Sequence, residues 1–352
     1  TVKTAPKGAI DQLGHSLSRV IHAFAETEDD ARIFMAKWDI KDGFWRMDAE
    51  EGAEWNFSYV LPQSPGSPCL LVVPTSLQMG WVESPPFFCA ASETARDVAQ
   101  DYCETKIGSL PPHKFTHYVL GDAAYEELPE TDPMGRAFRY LLEVYVDDFV
   151  SLVIPTSREQ LRHVSTSTMT GIHDVFPADE NDANDPISEK KLKQLDGAYA
   201  PRKTILGFDF DGVAKTMWLE DAKRAHLLTV LHSWLRSSRT GTSGIPFKKF
   251  ESIIAKIRHA FTAIPAGRGL LTPCNKMLQM KPPVVYLHRN AVLQAAIAGC
   301  RTILRESSDS PTRCRGGSPR ASQCRSVIGW ALASPWRGWP GRRVCISTRI
   351  RV

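Results

Sequence analysis

The period of the apolar positions changes along the chain, and each change marks an element. At 141–154 the sequence LLEVYVDDFVSLVI runs apolar up to Asp147 and Asp148 and resumes at once. That run predicts a strand, a sharp reversal and a second strand. IFMAKWDI at 33–40 predicts a buried strand ending at Asp39. Trp55, Phe57, Tyr59 and Leu61 alternate with Asn56, Ser58 and Val60, which predicts a half-buried strand. A Pro/Ser/Gly turn at 63–68 and a second strand at 69–73 would complete a hairpin. Residues 1–9 read as extended, and Leu13, Leu17, Val20, Ile21 and Phe24 recur at helical spacing over 10–24. GWVESPP at 80–86 opens a further helix, with Ser84 as its N-cap and Pro85 at its first position. Residues 158–175 predict an amphipathic helix. LGFDFD at 206–211 and KTMWL at 215–219 predict short strands around Asp211-Gly212, a hairpin signal. From Asp221 the pattern becomes helical. Phe247, Phe250, Ile254, Ile257 and Phe261 form one stripe, with Lys248, Lys249, Lys256, Arg258 and His259 largely off it. PAGRG at 265–269 ends that helix, and another begins near Thr272. Two stretches rich in acids, 105–136 and 176–195, predict surface insertions.

Composition narrows the class. A chain of 352 residues, 43% hydrophobic and 23% charged, is long enough for two or three domains with a sizeable core. No apolar run spans a bilayer, and the first residues carry no signal pattern. Eight cysteines without a Cys-x-x-Cys pair argue against a zinc ribbon or disulfide framework. They fit reduced thiols and an intracellular setting, cytoplasm or nucleus. The net charge of +4 arises in the tail, where 307–352 holds nine arginines against Asp309 alone. The remainder holds 34 basic and 38 acidic side chains, so a nucleic-acid surface there must come from local patches. The tail lacks periodicity and carries Trp330, Trp336 and Trp339. It reads as a disordered basic tail or, preferably, a frame-shifted end.

Three acids carry the candidate chemistry: Asp39 at one strand end, and Asp147 and Asp148 at a reversal. A two-residue turn favours Asn-Gly or Asp-Gly, so two adjacent carboxylates gain little as a turn. A solvated hairpin tip is the plain alternative. If the strands are neighbours, the three carboxylates converge, and divalent ions such as Mg2+ would relieve their repulsion. Two such ions would clamp the attacking and leaving oxygens of a phosphoryl transfer.

Four segments then coincide. WDIKDGFWR at 38–46, MGWVESPPFF at 79–88, YVDD at 145–148 and LGFDFD at 206–211 resemble motifs A, B, C and E of a reverse transcriptase, in family order. The likeness is to retroelement enzymes of the retroviral and gypsy-type long-terminal-repeat group, over about 33–304. The resemblance implies an α+β right-hand polymerase fold. Its palm would be an antiparallel sheet with a ferredoxin-like core, backed by helices and followed by a helical thumb. By position, 1–32 would be the end of the fingers, 33–219 the palm with the two insertions, 220–306 the thumb, and 307–352 the irregular tail. The resemblance makes Asp39, Asp147 and Asp148 the catalytic acids. With the Ile40 carbonyl they would hold two Mg2+ ions, Mn2+ being the alternative. Phe44 takes the place of the steric gate against a ribose 2′-OH, beside Gly43. Gln78, Met79, Gly80 and Trp81 match the loop beneath the incoming nucleotide, although the family's retroviral members carry Gln where Met79 stands. Tyr145, Ser84, Pro85, Gly207 and Phe208 match primer–template positions. Lys248, Lys249, Lys256 and Arg258 would contact phosphates from the thumb.

The implied partners are an RNA or DNA template with primer and deoxynucleoside triphosphates, with no membrane. Integrase or ribonuclease H domains would lie elsewhere in a parent polyprotein, since no acid follows Asp309. The family grips the triphosphate with Lys and Arg upstream of motif A. Here only Lys3 and Lys7 precede helix 10–24, with Arg32 and Lys37 as substitutes, so the chain is expected to begin after those motifs. Alternatives are a catalytically inactive relic that still binds nucleic acid and an RNA-dependent RNA polymerase. The latter usually carries Gly before the Asp pair, where this chain has Val146.

Overall fold

The computed structural model describes residues 7–64, 66–178, 184–241, 244–307 and 312–313. Lys3 and almost all of the tail from 308 onward lie outside them. The chain divides into two compact units, the first ending at Pro201 and the second beginning at Arg202.

The first unit contains α1 (Lys7–Glu26), β1 (Phe34–Asp39), β2 (Tyr59–Val60), β3 (Leu71–Val72), α2 (Ser84–Cys103), α3 (Asp122–Glu127), β4 (Arg139–Tyr145), β5 (Asp148–Ile154), α4 (Arg158–Val175) and α5 (Glu189–Lys193). Its main sheet is antiparallel in the order β1-β5-β4. Because side chains alternate across a strand, the register decides what each face buries. Phe34, Ala36 and Trp38 of β1 lie level with Val153, Ser151 and Phe149 of β5, and Tyr140, Leu142 and Val144 of β4 continue those rows. This face packs on Phe88, Ala95 and Ala99 of α2 and Leu161, Val164, Met169 and Ile172 of α4 in one core. On the opposite face α1 reaches β4: the Ser16 hydroxyl donates to the Val144 carbonyl at 2.9 Å, and Arg19 pairs with buried Glu143 at 2.6 Å. Burial on both faces explains why β4 and β5 read as nearly continuous apolar runs rather than alternating ones.

Several expectations shift. Residues 7–9 belong to α1 and are not extended. Trp55 and Phe57 lie in a 3-10 turn, Glu54–Phe57, and only Tyr59–Val60 pairs with Leu71–Val72. The 105–136 stretch is no mere surface insertion, because Phe115, Val119 and Ala124 sit in the main core. The 176–195 stretch buries Phe176, Ile187 and Leu192 in the same core, leaving 179–183 outside the described residues.

The second unit opens with an antiparallel meander, β6 (Arg202–Ile205), β7 (Phe208–Asp211) and β8 (Thr216–Leu219). The strand expected from 206 starts later, since Leu206 and Gly207 form the turn between β6 and β7, with φ of 48° and 84°. The remaining elements are α6 (Asp221–Thr240), β9 (Ile245–Pro246), α7 (Phe247–Ala260), α8 (Leu271–Met280), β10 (Val284–Val285), α9 (Ala291–Glu306) and β11 (Thr312–Arg313). Their core joins Leu231 and Trp234 of α6, Phe250, Ile254 and Ile257 of α7, and Ile297 and Leu304 of α9. The whole is α+β, small antiparallel sheets with helices. Among the described residues no helix is long and apolar enough to cross a membrane.

Candidate functional site

Register brings the acids together. Asp39, the last residue of β1, is the cross-strand partner of Asp148, the first of β5, and Asp148 in turn faces Tyr145. The reversal therefore consists of Val146 and Asp147, one residue earlier than the Asp147-Asp148 turn read from the sequence. The Ile40 amide donates to the Asp147 carbonyl at 3.0 Å, extending the β1 ladder around the tip. Val146 has φ of 59°. A β-branched residue there is strained by roughly 1–3 kcal/mol, the kind of local cost found at functional sites.

Like charges directly across a ladder repel, and burial adds to the cost. Burial pushes the Asp147 carboxyl up from its ordinary range, only partly offset by a backbone hydrogen bond, and nearby Asp39 adds to the shift. Burial and the adjacent Asp147 push Asp148 up to about 6. The compensating cation comes from a residue the sequence reading passed over. Lys191, on α5 inside the second acidic stretch, pairs directly with Asp39. Partial burial opposes its charge, but the hydrogen bond to Asp39 and the pull of Asp148 and Asp147 outweigh that and raise its pKa. The only sequence signal was the run of Lys190, Lys191 and Lys193 near Ser188, in which nothing distinguishes the middle lysine.

α5 is laid against β1 by the backbone. The Lys41 amide donates to the Pro186 carbonyl at 2.8 Å, the Ser188 amide to the Asp39 carbonyl at 3.0 Å, and Arg46 to the carbonyls of Asn184 and Asp185 at 2.9 and 2.8 Å. Arg32 and Lys37 take other partners, Glu127 at 2.5 Å and Asp196 at 3.4 Å.

The carboxylate oxygens, crowded at one sheet end, are the donor chemistry a hard divalent cation takes. Among the described residues no three His, Cys, Asp or Glu side chains are gathered tightly enough to hold one ion as they stand, and Lys191 occupies Asp39. The donor set suits Mg2+, provided that Asp39 exchanges its lysine for the ion.

Gly43 and Phe44 follow β1 in a short 3-10 turn, Gly43–Arg46. A Cβ on Gly43 would stand 2.7 Å from the Phe88 ring, so the approach of this turn to α2 requires glycine. Phe44 is half-buried, edge-on to Phe88 with centroids 5.3 Å apart. The 76–81 loop runs beside the same segment, with the Leu77 amide donating to the Met47 carbonyl at 2.9 Å. In it Met79 is 73% exposed, Gly80 has φ of 95°, and Trp81 packs on Phe57 and Phe87. Ser84 is not the N-cap: it is the first residue of α2, and its hydroxyl donates to the Gln78 carbonyl at 2.7 Å. Pro85 stands in the first turn of α2, half-buried. Asp39, Asp147, Asp148, Tyr145, Gly43 and Phe44 thus lie around one end of the sheet.

The other expected residues belong to the second unit. A Cβ on Gly207 would meet the Lys223 amine at 2.5 Å. Phe208 is fully buried against the His259 ring at 4.6 Å and is paired on both sides by Ile205 and Leu219, so it offers a ligand no contact surface. Lys248, Lys249, Lys256 and Arg258 are exposed on α7, and Arg258 donates to Asn275 at 2.8 Å.

No family model matches the chain, and no curated protein matches it. Among solved structures the chain is similar to a foamy viral protease-reverse transcriptase in complex with double-stranded DNA, at 15% identity and a TM-score of 0.40, with 82% of this chain covered. The match spans 38% of that protein's length.

Proposed function

We propose that this chain is an RNA-directed DNA polymerase domain of a retroelement, adding deoxynucleotides to a primer by nucleotidyl transfer. The observation that carries the reading is the ladder pairing of Asp39 with Asp148 beside the strained Val146-Asp147 turn. It joins the two most specific sequence motifs at one sheet end. Asp39, Asp147 and Asp148, with the Ile40 carbonyl, would hold Mg2+. When bound, the metal would neutralise phosphate charge and favour the ionised primer hydroxyl. The chain's own part is positional. The Phe44 ring, braced by Phe88, would bar a ribose 2′-OH. The backbone of 78–81 would lie under the incoming base, and Tyr145 beside the primer end. The α7 cations would meet the primer–template, and the buried Gly207 and Phe208 would support that contact from within the meander. Lys191 neutralises Asp39 in the metal-free state and would have to yield it to the ion.

Primer extension on an RNA template with Mg2+ tests this. The unaltered chain should extend the primer only slowly, because Arg32 and Lys37 are held by Glu127 and Asp196 rather than free for a triphosphate. Asp147→Asn should lower that rate by about 100-fold or more, the scale of several kcal/mol of lost charge stabilisation. Because Asn relieves the carboxylate repulsion, the metal-free variant should melt at the same temperature or higher. Extension by Asp147→Asn at the unaltered rate would remove Asp147 from the site. Absence of extension by the unaltered chain would favour the inactive relic.

A further inference from the structure

Away from the acids, the two stretches that read as insertions meet in a chain of side chains. His113 and His173 approach at 3.1 Å, Nε2 to Nδ1, and His173 Nε2 stands 3.2 Å from Asp185 Oδ1. The Phe115 amide donates to His113 Nδ1 at 3.2 Å. This last contact assigns the tautomers. Nδ1 of His113 is an acceptor, so its proton lies on Nε2 and is donated to His173 Nδ1. The His173 proton then lies on Nε2 and is donated to Asp185. Asp185 Oδ1 also accepts the Ile187 amide at 2.7 Å, and Oδ2 pairs with Lys114 at 2.8 Å. Every link points from a backbone amide toward one carboxylate, and neither ring can take a second proton without setting donor against donor.

Asp185 is where this chain ends and where the 184–193 segment begins its run along β1. Its carbonyl accepts from Arg46, and the next residues supply the Pro186 carbonyl to Lys41 and the Ser188 amide to Asp39. One turn later α5 presents Lys191 to Asp39. We propose that the His113–His173–Asp185 chain is a positioning strut that holds the 184–193 segment, and so Lys191, against Asp39, and that it lets go when His113 takes up a proton. The inference rests on the reading of Asp39 as a site residue only for its consequence on activity; the strut itself is a statement about structure.

The surroundings favour the neutral His113 ring. Burial, the adjacent His173 ring and Lys114 depress His113 to about 4, against the pull of Asp185. Burial opposes the charge of Asp185, but His173, Lys114 and the Ile187 amide outweigh it and hold its carboxyl well below the usual range. Arg46 donates to the Asp185 carbonyl at 2.8 Å. Asp174, next to His173, is engaged by the Tyr102 hydroxyl at 2.6 Å. For a base whose folded pKa is depressed below its unfolded value near 6.5, protection is complete above that value and is lost as pH falls through it toward 4.

The test is amide hydrogen exchange on the full chain, corrected for intrinsic rates, with ring 15N shifts recorded in parallel. In the unaltered protein the Lys41 and Ser188 amides should exchange about tenfold faster as pH falls from 6.5 to 4, in step with the ring titration, while β4 and β5 amides stay protected. His173→Ala should show the faster exchange already at pH 7 and no further step. Asp148 titrates in the same window and is left in place by that substitution, so a step persisting in His173→Ala would assign the effect to Asp148 and overturn the strut. Flat protection of Lys41 and Ser188 through the His113 titration of the unaltered chain would overturn it equally, and needs no variant. None of these readouts requires polymerase activity, so failed primer extension would count against the function and not against the strut.

Discussion

At the scale of single residues, the same side chain serves packing and chemistry, and Phe44 shows how to separate them. Its sequence position suggested a gate, and its ring is braced edge-on by Phe88 beside a glycine that nothing larger can replace. Phe44→Val should cost about 1 kcal/mol through loss of the aromatic pair. In an enzyme that stays active it should raise ribonucleotide over deoxynucleotide incorporation by about tenfold or more. Competition assays with both nucleotides read the ratio, and an unchanged ratio would leave Phe44 with its packing role alone. The three acids were legible because carboxylates among apolar strand residues are costly unless used. Lys191 was not, because the attraction that makes it matter acts between residues 152 positions apart.

At the scale of elements, α4 was readable as a helix, but the expected single apolar face is wrong: every residue from His163 to Met169 is buried, Ser165, Thr166, Ser167 and Thr168 included, and the helix it would meet was not readable. α2 and α4 approach so closely that a Cβ on Gly171 would stand 2.6 Å from the Ala99 amide nitrogen. Helix propensity alone favours alanine over glycine by about 1 kcal/mol. Gly171→Ala should nevertheless destabilise the protein by roughly 1–3 kcal/mol, since backbone cannot yield as a flexible side chain does. Gly14→Ala, at an exposed position of α1 with nothing within 4 Å, should stabilise by about 0.5–1 kcal/mol. Denaturant unfolding of the two variants checks the pair. Equal signs would show that the α2–α4 contact is looser than these distances. The hairpin expected over 55–73 is the counterexample to periodicity. Its alternating aromatics are mostly exposed rather than half-buried, with Trp55 at 58% and Tyr59 at 52%, and Trp55 and Phe57 turn instead of extending.

At the scale of the whole molecule, each unit has its own core, and charge is distributed locally within an acidic body. The exposed cations of α7 lie off an apolar stripe formed by Phe250, Ile253, Ile254 and Ile257. If that face meets phosphates, substituting Lys248, Lys249 or Lys256 by alanine should weaken primer–template binding across sequences. Each should reduce the slope of log affinity against log salt by about 1. Titrations at several salt concentrations measure it, and an unaltered slope would mean that the face is merely solvated. The sequence by itself determined the strands that meet at the acids, the helices over 158–175 and 247–260, and the residue types gathered at one sheet end. These follow from local period and from the cost of placing charge among apolar residues. Only the tertiary structure decided that the turn falls on Val146 and Asp147, that the 105–136 stretch sends Phe115, Val119 and Ala124 into the core, and that Lys191 reaches Asp39. Register, burial and long-range ion pairs are set by the summed packing of elements far apart in the chain, and no local pattern encodes that sum.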